Sequence, residues 1–410
     1  MNLNGISLVV GLDWAGHEHV CCLREPGGNG ESIERVGAKP EIFGPWLDRL
    51  RQEHAAGSIA VILERPDGAV VHMLQSRAGI IVVAVNPSML HRFRQAFCPS
   101  GAKDDPSDAS LLSELLVRHP EKLHPLVEAD GPVRTLAALT RHRRDLIGQR
   151  TFLVQKLKAL LKEYYPQALE LAGEELASPL ARAFLKRWPD LCALKRAHWG
   201  AVERLYRQHH CGRPAVLAQR RQFISEAVVV SSDPSYLKVC RLQLESLLAQ
   251  FNALAPVIEH YDKVIAEEYT KAPGHEVIDS LPGAGPAMAP RLWVACVQAG
   301  SDSAAVNLAQ VSGIAPVQRQ SGRSRSICFR RARSLFLHQS WLEFAYHSLA
   351  GSRWAREFYK RRKAAGHRNN AVLRALAFKW IRIVARLWRD KIPYDEAYYL
   401  EHLKTRPALT

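Results

Sequence analysis

The chain has 410 residues, 47% of them hydrophobic and 23% charged, and 56 Lys and Arg against 40 Asp and Glu give a formal net charge of +16. That length leads us to expect two or three domains, and the composition is that of a chain with buried cores rather than a disordered or fibrous one. So large a basic excess points first to nucleic acid and then to an anionic surface, and no apolar run is long enough to span a bilayer. Met1 to Val10 enters a strand-like run without a basic region or cleavage site, so no export signal is expected. The 8 cysteines include no CxxC pair, which argues against a zinc ribbon and a disulfide framework. His209-His210-Cys211 has no partner cluster and reads as a solvated turn. A reducing cytosol is the expected compartment.

Ile6 to Leu12 is an apolar, β-branched run that ends at Asp13, and His19 to Leu23 reads as the returning strand of a hairpin. Pro40 to His54 has helical spacing through Ile42, Phe43, Trp46, Leu47 and Leu50. Ser58 to Leu63 is a second buried strand, and it ends at Glu64. Pro66-Asp67-Gly68 opens a helix through Val70, Val71 and Leu74, Gly79 to Val85 is a further strand, and Pro87 to Phe97 a further helix. The alternation predicts an α/β domain with a mixed sheet. Next comes Ala102-Lys103-Asp104-Asp105-Pro106-Ser107-Asp108-Ala109, an acidic helix start in a basic chain, continued by Leu111, Leu112, Leu115 and Leu116.

Asp105 and Asp108 stand three apart and share a helix face. They read either as a capping cluster favoured by the helix dipole or, with Asp13 and Glu64 at strand ends, as part of a cation site. Four acids from three segments converging at strand ends would repel one another without bound cations. Magnesium, or manganese in its place, suits such oxygen ligands and a phosphodiester substrate.

From Arg134 the chain becomes helical, with a stripe from Leu136 to Leu161. Ser231-Ser232-Asp233-Pro234 starts a second long helix carrying Leu237, Leu244, Leu248, Phe251, Ile258 and Ile265. Two such helices predict an antiparallel coiled coil or, the pattern not being a strict heptad, a helical bundle. Pro282-Gly283-Ala284-Gly285 reads as a turn between helices, either a phosphate-binding one or a plain one. Gly313-Ile314-Ala315-Pro316 then leads to Ser321-Gly322 in a stretch free of acids from Ser303 to Trp341. Arg319, Arg323, Arg325, Arg330, Arg331 and Arg333 surround that serine and match phosphate oxygens. Ser321 reads either as a turn residue on a nucleic-acid-gripping patch or as a nucleophile at a scissile phosphate. The closing helices interleave Trp and Arg as far as Trp388, which suits either single-strand contacts or a buried aromatic core with a basic face.

Strand-Asp13, strand-Glu64 and Lys103-x-Asp105-x-x-Asp108-Ala109 resemble the DEDD transposases of the insertion-sequence one-ten family. Gly-x-x-Pro followed after four residues by Ser321-Gly322 is similar to that family's second motif. Asp104 fills the variable position before Asp105, and a slip of one residue would exchange the two. The chain departs from the family after the serine, where Phe329-Arg330-Arg331-Ala332-Arg333-Ser334-Leu335 replaces a Lys/Arg-Gly-Asn turn before Leu-Arg. The resemblance implies an α/β RNase H-like (RuvC-like) domain over residues 1–130, a helical coiled-coil region over 131–270 and a mainly α-helical transposase domain over 271–410. It further implies magnesium on Asp13, Glu64, Asp105 and Asp108, and Ser321 as a nucleophile that becomes joined to DNA. Its expected partners are donor and target DNA, a structured bridge RNA and further copies of the chain in a homodimer or homotetramer, acids and serine meeting across protomers. The expected location is the bacterial cytoplasm, at the nucleoid. The rival readings are a metal-dependent junction nuclease with Ser321 a bystander, and a non-catalytic nucleic-acid binder.

Overall fold

The computed structural model describes residues 1–404 except 29, 65–67, 98–103, 127–129, 300–303, 323 and 332, and leaves the side chains of 97, 304, 325 and 402–404 undescribed. The chain divides into two compact units, Met1–Ala129 and Asp130–Thr410.

The first unit is built on a five-stranded mixed sheet. Its strands are β1 (Ile6–Asp13), β2 (Glu18–Arg24), β3 (Glu31–Gly37), β4 (Ser58–Leu63) and β5 (Ile80–Ala84), in the order β3-β2-β1-β4-β5. The β1, β4 and β5 strands run parallel, and β2 and β3 are added antiparallel on the β1 side. Among the described residues the unit also has the α-helices α1 (Pro40–Glu53), α2 (Ala69–Gln75), α3 (Pro87–Phe97) and α4 (Asp105–Arg118), and a single 3-10 turn at Pro120–Lys122. Alternation along β1 assigns the two faces. Leu8, Val10 and Leu12 pack with Phe43, Leu47 and Leu50 of α1, whereas Val9 packs with Ala60, Ile62 and the α4 leucines 111, 112, 115 and 116. Both faces of the sheet are therefore covered, which is why β4 reads as a continuous apolar run.

The sequence expectation of a mixed α/β sheet holds, with two corrections. β3 was not anticipated. Its side chains are mostly exposed and only Val36 is fully buried, as befits a polar edge strand with no strong period. The helix expected from Pro66 begins at Ala69, after a Gly68 with φ of 109°, and Pro66 and Asp67 lie outside the described residues.

The second unit is mostly helical. The long helices α5 (Gly131–Tyr164) and α11 (Pro234–Tyr269) enclose α6 (Ala168–Leu171), α7 (Pro179–Arg187), α8 (Leu191–Lys195), α9 (Trp199–Gln208) and α10 (Pro214–Glu226) in sequence. α5 and α11 are antiparallel: Arg143 pairs with Asp262, while Tyr164, at the other end of α5, lies near Tyr236 and Cys240. Leu157, Leu161, Leu244 and Phe251 share one core with Phe184, Leu185 and Tyr206 of the intervening helices. The leucine stripes are thus buried in a helical bundle, and the packing does not establish a coiled coil.

The rest of this unit comprises α12 (His275–Asp279), α13 (Ala289–Ala299), α14 (Ala304–Val311), the hairpin β6 (Val317–Ser321) and β7 (Ser324–Cys328), then α15 (Leu335–Gly351), α16 (Arg353–Ala364), α17 (Asn369–Asp390) and α18 (Glu396–Lys404). Trp341, Phe344 and Trp380 are fully buried, and the Trp380 indole donates to Ser348 Oγ at 2.9 Å. Most of the Trp-rich segment is therefore core. The Pro-Gly-x-Gly turn has a packing task as well. Gly283 has φ of +87°, and a Cβ there would lie 2.6 Å from the His347 carbonyl carbon of α15. Gly283→Ala is expected to lower stability by about 2 kcal/mol, read as a drop in Tm, because both the backbone conformation and the close approach exclude a side chain.

Candidate active site

Asp13 is the last residue of β1, and Glu64 follows the last residue of β4. These strands are parallel neighbours with Gly11 opposite Ile62, so two residues further on Asp13 and Glu64 reach the same edge of the sheet. Alternation from Val9 and Gly11, and from Ala60 and Ile62, puts both on the face that α4 covers. α4 can lie this close only because residue 11 is glycine. A Cβ there would be 2.0 Å from the Ala109 carbonyl oxygen and 2.6 Å from Ser113 N. The contact seats the first turns of α4, with Asp105 and Asp108, over the sheet face that carries Asp13 and Glu64.

The acids on α4 have distinct surroundings. Asp104 is the N-cap: its carboxylate accepts the Ser107 N–H at 2.8 Å, and the Ser107 hydroxyl donates to the Asp104 carbonyl oxygen at 2.9 Å. Hydrogen bonding from Ser107 holds the Asp104 carboxyl below its ordinary value of 3.8. A depressed folded-state value contributes stability that is present above the ordinary value and lost as pH falls through the folded one. The Tm difference between wild type and Asp104→Ala is accordingly expected to be constant above about pH 5 and to shrink below about pH 4. Asp105, one residue on, is exposed, with no ion pair or side-chain hydrogen bond among the described residues. Local structure thus separates the two candidates, with Asp104 engaged by the cap and Asp105 available.

Asp108 is 6% exposed and forms an ion pair of 2.5 Å with Arg94 of α3. The Arg94 Nε is buried and has no hydrogen-bond partner among the described residues. A carboxylate this buried requires a positive charge beside it, and here a guanidinium supplies it. Among the described residues, no three His, Cys, Asp or Glu side chains stand close enough to hold a metal ion. The structure therefore places Asp13 and Glu64 at neighbouring strand ends and Asp105 and Asp108 on the helix that covers that face, and does not close the four into a ligand cage. The donor set is all carboxylate oxygen, which fits magnesium or manganese rather than a thiolate-preferring metal.

Sequence reasoning missed two supporting residues. Arg94 carried no signal, being one of many basic residues. His19 was read only as the start of a returning strand, yet it is 1% exposed, its Nδ1 accepts the Ala15 N–H at 3.2 Å, and its ring lies edge-on to Phe43. Burial keeps its pKa below the ordinary histidine value. The neutral ring fixes the turn that directly follows Asp13.

In the second unit, Ser321 ends β6 and pairs with Ser324 across a tight turn in which Gly322 has φ of +54°. The serine is exposed. The hairpin itself was not anticipated from sequence, because its side chains are almost all exposed and carry no apolar alternation. Arg319 and Arg331 are exposed, while Arg330 is half-buried. Arg333 packs at the base of the hairpin: it donates to the Arg330 carbonyl at 3.1 Å, lies over Phe329 and fills the space a Cβ on Gly313 would need. Arg323, Lys103 and the side chain of Arg325 lie outside the described residues.

The first unit thus carries acids at the ends of β1 and β4 and on α4, and the second carries an exposed serine on a basic hairpin. Comparison with known proteins makes the class specific. A DEDD transposase model matches residues 10–166, which contain all four acids. A model of the transposase IS116/IS110/IS902 family matches residues 275–360, which contain Ser321. The chain is 24% identical to a mini-circle putative transposase for IS117 from Streptomyces coelicolor, over 96% of each chain. It is 27% identical to a 44.8 kDa protein of insertion element IS116 from Streptomyces clavuligerus, over 76% of this chain and 77% of that one. A putative transposase from Sinorhizobium fredii is 33% identical over 40% of this chain and 46% of its own. The chain belongs to the IS110 family of transposases, enzymes that cleave and recombine DNA. No described helix is long and apolar enough to cross a membrane.

Proposed function

We propose that this transposase cuts and rejoins DNA with a magnesium site built on Asp13, Glu64, Asp105 and Asp108 of an RNase H-like first unit. The observation that carries the reading is the convergence of β1, β4 and α4 ends, forced by the close approach of α4 to Gly11. The four carboxylates would hold the cation, and the ion pair with Arg94 would keep the Asp108 carboxylate in place. When bound, the metal supplies charge neutralisation at the scissile phosphate.

The finer part of the proposal assigns the attack to Ser321. Its Oγ forms a bond to phosphorus, one strand's oxygen leaves, and the serine proton passes by way of solvent to that leaving oxygen. The reverse step rejoins a new strand without nucleotide hydrolysis, because the phosphoester link conserves the bond. Support comes from the exposed position of Ser321 at a hairpin tip with Arg319 on the same strand, and from the family match over this segment. Guidance by a structured RNA and assembly into a homodimer or homotetramer belong to the same proposal, as does a place in the bacterial cytoplasm. They rest on the motif resemblance.

A second reading, water-mediated hydrolysis by the metal site alone, is favoured by the lack of a described hydrogen-bond partner that would activate Ser321. One experiment separates the two. Purified protein is incubated with magnesium, the RNA flanking its element and end-labelled donor DNA, and resolved on a denaturing protein gel. A labelled band that migrates with the protein and disappears in Ser321→Ala is expected. Free cut DNA without an adduct, equal in wild type and Ser321→Ala, would establish hydrolysis instead.

A further inference from the structure

Behind the hairpin lies a groove of about 550 Å3 between α15 and α17. Its lining includes Phe329, His338, Tyr346, His347, Asn370 and Arg374. The volume is in the range of small-ligand sites, and the wall carries two aromatic rings, Phe329 and Tyr346. Tyr346 is 58% exposed and Phe329 is 40% exposed, in contrast to the buried tryptophans nearby.

The charge around these rings is positive. The guanidinium carbons of Arg333 and Arg374 lie 4.1 and 4.9 Å from the Phe329 ring centroid. The one acid in the lining, Glu343, is already matched, by Arg291 at 2.7 Å and Arg144 at 2.9 Å. His338 Nδ1 is 2.9 Å from the Ser312 carbonyl oxygen, so Nδ1 carries the proton and Nε2 remains the ring's acceptor. Asn370 adds a further donor and acceptor. One exposed tyrosine face, a few polar groups and an arginine rim match the three parts of a nucleotide: ring, base edge and phosphate. A base within a duplex offers neither free face nor free edge, so the occupant must be unpaired.

We propose that this groove binds one unstacked base of a single DNA strand, with the exposed Tyr346 ring as the stacking platform and Arg374, packed on Phe329, at its phosphate. Phe329 directly follows β7, so along that strand the groove lies at most about 17 Å from the turn that carries Ser321. That spans about five steps of a DNA strand at duplex rise. The groove would thus hold open a base a few nucleotides from the cut, where strands must separate before they can be exchanged. The inference rests on the reading of the chain as a DNA-recombining enzyme, and it is independent of whether Ser321 or water attacks.

The test uses the full chain at fixed ionic strength, with fluorescein-labelled single-stranded DNA, the matching duplex and single-stranded RNA of the same sequence, each read by anisotropy. Tyr346→Ala is expected to weaken single-stranded DNA binding about ten-fold and duplex binding less than two-fold, whereas Tyr346→Phe keeps wild-type affinity. An equal loss on duplex, or no loss on single strands, overturns the proposal. A loss confined to RNA overturns the assignment to DNA. Tyr346 is exposed, so unfolding is not expected, and an unchanged Tm of Tyr346→Ala verifies this. Failure of this test leaves the Ser321 adduct unaffected, and Ser321→Ala leaves the groove's affinity unaffected, so the two readings fail separately.

Discussion

Asp105→Ala is expected to lower magnesium-dependent DNA cleavage at least about a hundred-fold while leaving Tm unchanged. Asp105 is exposed and has no described partner, so nothing in the folded state depends on its carboxylate. Its two neighbours on α4 are expected to behave differently. Asp104→Ala removes the N-cap, is expected to lower Tm, and keeps cleavage. Asp108→Ala is expected to lose both cleavage and about 3 kcal/mol, because it leaves the 14%-exposed Arg94 side chain as an uncompensated buried charge. Cleavage assays and thermal melts on the three variants therefore form one experiment. If Asp104→Ala were the variant that kept stability and lost cleavage, the metal ligand would be Asp104, and the α4 register would have to slip by one residue. If all three kept cleavage, the acids would be caps and the metal site would be refuted.

Gly11→Ala is expected to have the largest structural effect of any single methyl group in the first unit. Its new Cβ would meet the backbone of α4, not the flexible end of a side chain, at 2.0 Å from the Ala109 carbonyl oxygen. Two outcomes relieve this: the unit unfolds, or α4 lifts from the sheet. In either case Asp105 and Asp108 leave the edge that holds Asp13 and Glu64. We expect a loss of about 3 kcal/mol, in the range of severe overpacking, and no detectable cleavage. A variant with wild-type Tm and activity would show that α4 does not sit on β1 as described. The leucines that hold α4 down, Leu112, Leu115 and Leu116, are at most 1% exposed, so sliding the helix would itself forfeit burial.

Several of these features were legible in the sequence for a definite reason. Asp13 and Glu64 could be placed because each ends an apolar run, and a buried strand announces its own end when the first charge appears. Asp105 and Asp108 could be placed on one face because helical spacing is local. The motifs around them, and around Ser321, are patterns of neighbouring residues and need no knowledge of the fold. Local order also predicted a mixed sheet, since strands and helices alternate.

What the sequence could not show depends on residues far apart in the chain. β3 hides because an edge strand exposes most of its side chains and so carries little period. Whether the leucine stripes of α5 and α11 serve a coiled coil or a bundle cannot be read from either helix alone. The answer lies in Phe184, Leu185 and Tyr206, which share their core. The separation of Asp104 from Asp105 needed the capping hydrogen bonds, and the burial of Asp108 needed Arg94 on another helix. The groove needed α15 packed on α17 to bring Tyr346 and Arg374 to one wall. Charge, periodicity and short motifs are local and were determined by the sequence. Which carboxylate is free, which is paired and which aromatic ring faces solvent are properties of packing, and only the tertiary structure decided them.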